Sequence, residues 1–379
     1  MFYVKEGIMP ESRHTYTDRN NLLREELFGE ESFDGPYSLL YHLNEPTDIV
    51  SVSYERRSVN VLEDGFRHRH LRASGIPVKQ DFQSSMTPLM LNEDIEIGVA
   101  HFSGSTEVFR RSALMDELFF VHSGTGTLQS VFGDLRYSAG DYLYVPKGTT
   151  YRFQPQGENR FFYVRAASRI GVPPRYLNAY GQLKEGTPYY ERDIRVPELR
   201  EASKERGQFK VMVEYSDGYV IETRDRHPFD VVGWDGHLYP FAINVDRMAP
   251  IVGKLHQPPP VHETFSGKGF MVGTFLPRKF DFHPRAIPIS YYHSNIDTDE
   301  VLFYSSGNFM SRRGIEAESI TVHVRGLIHG PQPGAVEAAI GKEGTDEVAV
   351  MVEAYRPLRF TEQSAQIEDK DYMGSWHRR

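Results

Sequence analysis

Six of the chain's fifteen histidines, His256, His262, His283, His293, His323 and His329, fall between positions 256 and 329, about twice what an even scatter over 379 residues would place there. Imidazole changes charge near neutral pH and is the commonest side-chain metal ligand, so such a cluster points to proton transfer, metal binding or both. A lone histidine in a β-rich protein is more often a hydrogen-bonded structural residue; the density carries the signal. Carboxylates stand close by at Asp297, Asp299 and Glu300. The chain has no cysteine, which excludes disulfides, thiolate metal sites and cysteine nucleophiles.

The elements that must position these residues are mostly short strands. Aromatic residues make up 13% of the chain, and 32 glycines and 23 prolines are spread along it, a mixture that favours strands joined by tight turns. The pattern predicts strands over Ile95 to Phe102, Glu117 to His122, Tyr142 to Val145, Phe161 to Arg165, Val211 to Glu214, Gly269 to Phe275, Glu300 to Tyr304, Ile320 to Val324 and Val348 to Tyr355. Two short helices are expected, at Asp18 to Leu27 and at Pro197 to Arg206, the second with proline in its first turn. The polar tail after Thr361 is expected to lie at the periphery.

Net charge is −9, and no Lys/Arg block is interleaved with aromatics, so nucleic acid is not an expected partner. Short clusters such as Arg56-Arg57 and Arg67 to Arg69 read as solvated surface. No stretch approaches the roughly 20 apolar residues that span a bilayer, and the first twenty residues lack a basic, then apolar, signal segment. A cytoplasmic protein with no membrane partner is the expectation.

A long-range repeat organises the strands. Glu117-Leu-Phe-Phe-Val-His-Ser-Gly124 matches Glu300-Val-Leu-Phe-Tyr-Ser-Ser-Gly307. Further on, Ala139 to Tyr151 lies against Ala317 to His329, so two related β-units are expected. These segments resemble the two motifs of the cupin superfamily, H-x-H-x3or4-E-x6-G and G-x5-P-x-G-x2-H. The resemblance implies an all-β fold of two cupin (double-stranded β-helix) units with a few short helices. It predicts an N-terminal unit over 1–170, a connector over 171–206 and a C-terminal unit over 207–379.

In the first copy the ligand positions hold Arg110, Ser112, Glu117 and Tyr151, so that unit is expected to be metal-free. In the second they hold His293, Asn295, Glu300 and His329, three of four being ligand types. Two imidazoles and a carboxylate on one face suit Fe(II) and leave positions open for O2 and substrate. Asp299, one residue from Glu300, would point to the opposite face of the strand.

Tyr291-Tyr-His-Ser-Asn295, the following Asp299 to Tyr304, and His323-x5-His329-Gly-Pro331 resemble the homogentisate 1,2-dioxygenase family. So do Phe229 to Gly236, Tyr239-Pro-Phe, Arg13-His-Thr, Glu25 to Phe33 and Ser38 to His42. The chain is shorter than the eukaryotic members, and its His-to-Glu spacer is one residue longer. The resemblance implies Fe(II)-dependent opening of homogentisate by O2 to maleylacetoacetate in tyrosine and phenylalanine breakdown, by a homotrimer or hexamer. It assigns His293, Glu300 and His329 to iron, His256 to acid/base work, and His323 either to substrate contact or to a hydrogen bond that supports a ligand, with Tyr304 a candidate for substrate contact. Arg285 and Arg325 could pair with a substrate carboxylate but read better as surface arginines. The alternatives are a gentisate-type ring-cleaving cupin and a non-catalytic bicupin that binds a small ligand.

Overall fold

Runs rich in Val, Ile, Phe and Tyr, interrupted every few residues by glycine, proline or aspartate, leave the chain few options other than short strands. A computed structural model describes residues 2–376 apart from residues 64, 217, 259–261 and 310–313. Its described strands form a four-stranded sheet, two seven-stranded sheets, a six-stranded sheet and a two-stranded ribbon. The described α-helices are single turns at Phe82–Ser85, Ala335–Ala339 and Glu362–Gln366. The expected all-β architecture of two cupin units with little helix is therefore observed. Among the described residues no helix is long and apolar enough to cross a membrane.

The two seven-stranded sheets face each other to make the N-terminal barrel. Strands Thr125–Ser130, Gly133–Ser138 and Tyr151–Pro155 lie on one side, and Ile95–Phe102, Asp116–Ser123 and Asn159–Ala166 on the other. Phe102, Phe119, Tyr137, Phe153 and Phe161 fill the space between, with Phe82 inserted among them at 4.5 Å from the ring of Phe153. The barrel interior is thus packed with rings.

Ile95–Phe102 is buried at every position, because its second face also carries a load. That face, with Phe120 and Phe162, packs on Val301, Phe303, Val350 and Val352 of the six-stranded C-terminal sheet. Phe162 and Phe303 stack at 4.8 Å and 16°. The two barrels therefore share one continuous apolar layer.

Pairing crosses the expected boundaries. Arg206–Tyr215 and Gly218–Arg226, placed in the C-terminal unit by sequence, join the N-terminal barrel through parallel pairing of Val211 with Phe109. Phe241–Asn244 pairs with Asp141–Val145. In exchange, Arg69–Arg72 adds to Ser319–His323 in the C-terminal sheet. The expected connector, residues 171–206, places side chains in the core. Tyr176 and Tyr189 are buried in the core and donate to the carbonyls of Glu263 at 2.9 Å and Thr264 at 2.6 Å.

Both expected helices are absent. The Asp18 side chain caps only the 3-10 turn Arg19–Asn21, after which Arg24–Gly29 pairs with Tyr37–His42. Helix-forming Arg-Glu-Glu-Leu yields there to sheet pairing and to the contact of Glu26 with His42. Around Pro197, Glu198 bridges Asp134 by mutual backbone hydrogen bonds of 2.8 and 2.9 Å, which holds the segment extended.

His42 joins three segments of the small sheet. Its Nδ1 meets Asp230 Oδ1 at 2.7 Å and its Nε2 meets Glu26 Oε2 at 2.8 Å. Burial alone would lower its pKa, but the two carboxylates outweigh that and raise it to about 9 from 6.5. The resulting stabilisation is fully present below pH 6.5 and is lost as pH rises through about 9. In urea titrations, wild type is expected to lose its advantage over His42→Gln across that window; a pH-independent difference would contradict the role.

Candidate metal centre

A strand directs alternate side chains to opposite faces. In Asp299–Ser306, Val301 and Phe303 face the shared apolar layer, and Glu300, Leu302 and Tyr304 face a cavity of about 470 Å3. The neighbouring strand Val348–Ala354 contributes Ala349 and Glu353 to the same cavity. Asp299 points away, as expected. Its Oδ1 accepts from the Arg325 amide at 2.9 Å and side chain at 3.0 Å, and its Oδ2 accepts from the Leu358 amide at 2.8 Å.

His293 and His329 come from two loops that meet in one antiparallel bridge. Each backbone amide donates to the other's carbonyl at 2.9 Å. The cross-strand pair brings the rings to 4.3 Å. Nδ1 of His293 lies 3.1 Å from the Tyr291 carbonyl, and Nδ1 of His329 lies 3.1 Å from that of Leu327. A carbonyl accepts only, so both Nδ1 atoms carry hydrogen, and each Nε2 is left to donate to Glu300 when the ring is protonated or to present a lone pair to a metal when it is neutral. Each Nε2 sits 3.6 Å from a Glu300 oxygen. Ligand atoms of the three residues all lie within 4.8 Å of one another.

The donor set fits a metal on its own chemistry. His329 Nε2 is buried and has no hydrogen-bond partner, a costly state for an imidazole lone pair unless something binds it. The Glu300 side chain is 5% exposed, that of His329 0% and that of His293 25%, so the arrangement opens on the His293 side. Burial pushes the Glu300 carboxyl up, but the three surrounding histidines outweigh that and hold it well below the usual range.

His323 does not contact the cavity. It is wholly buried behind Glu300, with Nδ1 2.6 Å from Glu300 Oε1 and Nε2 3.0 Å from the Tyr372 hydroxyl. The expectation of substrate contact is corrected: period-2 alternation on Ser319–His323 turns this ring onto the carboxylate. The tail is corrected with it. Tyr372 is buried, and Trp376 packs its ring 5.6 Å from that of His68, closing the back of the site. Tyr304 does line the cavity, with its hydroxyl 3.1 Å from Thr321 Oγ1. His256 lines it too, edge-on to Tyr291 at 5.2 Å, and burial lowers its pKa. Arg325 is held by Asp299 and the carbonyls of Ala354 and Tyr355, and so is not a free arginine.

Sequence reasoning missed Glu353. It pairs with Glu300 across the sheet, and Asn295 Nδ2 reaches both its oxygens at 3.1 Å. Burial first, and then the charge of Glu300, raise its pKa to about 7. Its inward position could have been read from the alternation of Val348 to Tyr355. Arg278, on the cavity wall, was also missed.

The N-terminal barrel repeats this geometry with other chemistry. Arg110 and Tyr151 pair across the sheet as His293 and His329 do. Arg110 Nη2 reaches Glu117 Oε1 at 2.7 Å, and the Tyr151 hydroxyl donates to Glu117 Oε2 at 2.7 Å. Arg165 lies opposite Glu117, where the other barrel has Glu353, and its Nε is 3.1 Å from Glu117. Arg110, Arg165 and Arg57 also share Glu214. Guanidinium groups stand where a cation would sit.

The chain is 45% identical over 383 residues to a protein of Saccharolobus solfataricus named "Putative dioxygenase", covering 100% of this chain and 99% of that one. It is 24% identical to homogentisate 1,2-dioxygenase of Emericella nidulans over 241 residues, 60% of this chain and 52% of that enzyme. The Bradyrhizobium diazoefficiens homogentisate 1,2-dioxygenase is 22% identical over 276 residues, 68% of this chain and 60% of that enzyme. Both matches span less than two thirds of those enzymes. Residues 92–245 match the family model of the homogentisate 1,2-dioxygenase N-terminal region, which stops short of the histidine cluster.

The two glutamates at equivalent positions should respond differently to neutralisation. Glu117→Gln unbalances buried arginines and is expected to cost about 3–5 kcal/mol. Glu300→Gln leaves imidazoles that can give up their protons, not fixed guanidinium charges, and should cost less in the metal-free protein at neutral pH. Urea unfolding of both variants checks the order; equal costs would contradict it.

Proposed function

The chain belongs to the homogentisate 1,2-dioxygenase family, and from that premise we propose that it holds one Fe(II) with His293, Glu300 and His329 and uses O2 to open the ring of homogentisate. The observation that carries this reading is the pair of imidazoles with Nδ1 tied to carbonyls and Nε2 turned on one carboxylate, His329 Nε2 being buried without a partner. When bound, Fe(II) supplies the Lewis acidity and electron transfer that let O2 react with an electron-rich ring.

The chain's own residues supply the rest. The cavity of about 470 Å3 lies in the ~300–1,000 Å3 range typical of small-molecule sites. Met271, Phe275 and Leu302 give it apolar walls against which a benzene ring can lie and exclude water. Burial keeps His256 neutral near pH 7, so a ring nitrogen can take the proton of a phenolic hydroxyl and return it later. His323 acts through Glu300: its 2.6 Å contact, backed by Tyr372, fixes the carboxylate's orientation towards the two imidazoles. Tyr304 lines the same cavity from the Glu300 strand, with its hydroxyl against Thr321.

Anaerobic Fe(II) loading followed by metal analysis and oxygen uptake tests the reading. One iron per chain is expected, because Arg110 and Tyr151 occupy the equivalent positions of the other barrel. His329→Ala should lose iron and turnover while keeping its fold; full activity in that variant would refute the ligand set. His256→Ala should keep iron and lose about 10²- to 10⁴-fold in kcat. A loss under about threefold would return His256 to a structural role. Homogentisate should exceed gentisate by about tenfold or more in kcat/KM. Gentisate preference would make the enzyme a gentisate-type member, and iron binding with no oxygen uptake would make it a binding protein.

A further inference from the structure

The register of the C-terminal sheet gives the cavity a long axis. Glu300, Glu353 and Met271 align in one row across three strands, and Tyr304, Ala349 and Phe275 in another. The rows are four residues apart, or ~13 Å at ~3.3 Å per residue. The three candidate ligands sit at the first row. Beyond the second, the chain runs three residues past Phe275 to Arg278, which pairs with Thr345 in the two-stranded ribbon and lines the same cavity.

Arg278 is poorly matched where it stands. Its side chain is 14% exposed. Both of its hydrogen bonds leave from Nη1, to the Leu276 carbonyl at 3.0 Å and, at 3.5 Å, to Glu347 Oε1. Among the described residues Nε and Nη2 have no partner. Its guanidinium carbon lies 5.7 Å over the ring of Phe275, another cavity residue. Glu347 reaches Nη1 alone, which leaves the Nε and Nη2 edge to another acceptor. A guanidinium with one free N–H edge on the wall of a partly open cavity has the shape that receives a carboxylate through two parallel bonds. Of the other cations, Arg325 is held by Asp299, Arg285 is exposed and lies outside the cavity wall, and Lys279 borders the cavity from an exposed position.

We propose that Arg278 anchors the carboxylate of an aryl-acetic acid through Nε and Nη2, at the end of the cavity opposite His293, Glu300 and His329. A ring with a one-carbon arm bridges the two ends once the arginine side chain reaches back. This rests on the ring-cleaving reading above for the identity of the acid, but the anchor can be tested without turnover.

Calorimetric titration of the metal-free full-length protein with phenylacetate and with its neutral isostere phenylacetamide is the first test. Phenylacetate should bind at least about tenfold more tightly, as expected for a charge-assisted pair. Arg278→Met should abolish that preference and Arg278→Lys should restore part of it. Equal affinity of wild type for the two ligands, or no measurable phenylacetate binding, overturns the proposal whether or not a variant folds. With iron loaded, Arg278→Met should raise KM for homogentisate about tenfold or more and change kcat less than about threefold. An unchanged KM also overturns it. If wild type takes up no oxygen with homogentisate, the ring-cleaving reading fails and the calorimetric preference alone decides the anchor.

Discussion

The pleat of one strand sets what the C-terminal half can be. Asp299–Ser306 turns its side chains alternately to two faces, and both faces are committed. Val301 and Phe303 close the apolar layer against Phe120 and Phe162 of the other barrel, while Glu300, Leu302 and Tyr304 line the cavity. A slip of one residue would bury Glu300 in that layer and put Phe303 in the cavity. Asp299 helps to hold the register, through the Arg325 side chain and the Leu358 amide. Packing between barrels and placement of the carboxylate are therefore one constraint.

The N-terminal barrel shows what the same frame becomes without metal chemistry. The corresponding cross-strand pair survives as Arg110 and Tyr151, and the glutamate survives as Glu117. Glycines at matching turns, Gly124 and Gly307, take left-handed φ of 99° and 95°, where a Cβ would meet Asn159 and the Asp346 carbonyl. The repeat is thus backbone-deep. Side chains make the difference: the aromatic rings around Phe82 fill one interior, and smaller residues such as Ala349 and Leu302 leave the other hollow. Charge balance inside the filled barrel then has to come from arginine.

Much of this was legible in the sequence, for identifiable reasons. The strands Ile95 to Phe102 and Val348 to Tyr355 announce themselves by β-branched runs, and the repeat aligns Glu300 with Glu117 before any coordinates. The Asp299/Glu300 choice follows from that alignment together with alternation along the strand. What escaped depends on partners far along the chain. Arg24 to Leu27 has helix-forming residues, but pairing with Tyr37–His42 decides its conformation. His323 has the residue type of a ligand, and only the position of Tyr372, 49 residues on, shows it tied behind the carboxylate. Arg278 lies outside every motif, so nothing local marks it.

The exchange of strands between the halves has a consequence for synthesis of the chain. Arg69–Arg72 leaves the ribosome long before Ser319–His323, the strand it pairs with, so its edge stays unsatisfied while about 250 further residues are made. The first barrel likewise waits for Arg206–Tyr215 before Phe109–Ser112 gains its parallel neighbour. Non-local closure of this kind slows folding and leaves β edges open to stray pairing. The nascent protein therefore spends its vulnerable period as an unfinished sheet, and its yield in a cell depends on shielding those edges until the last strands emerge.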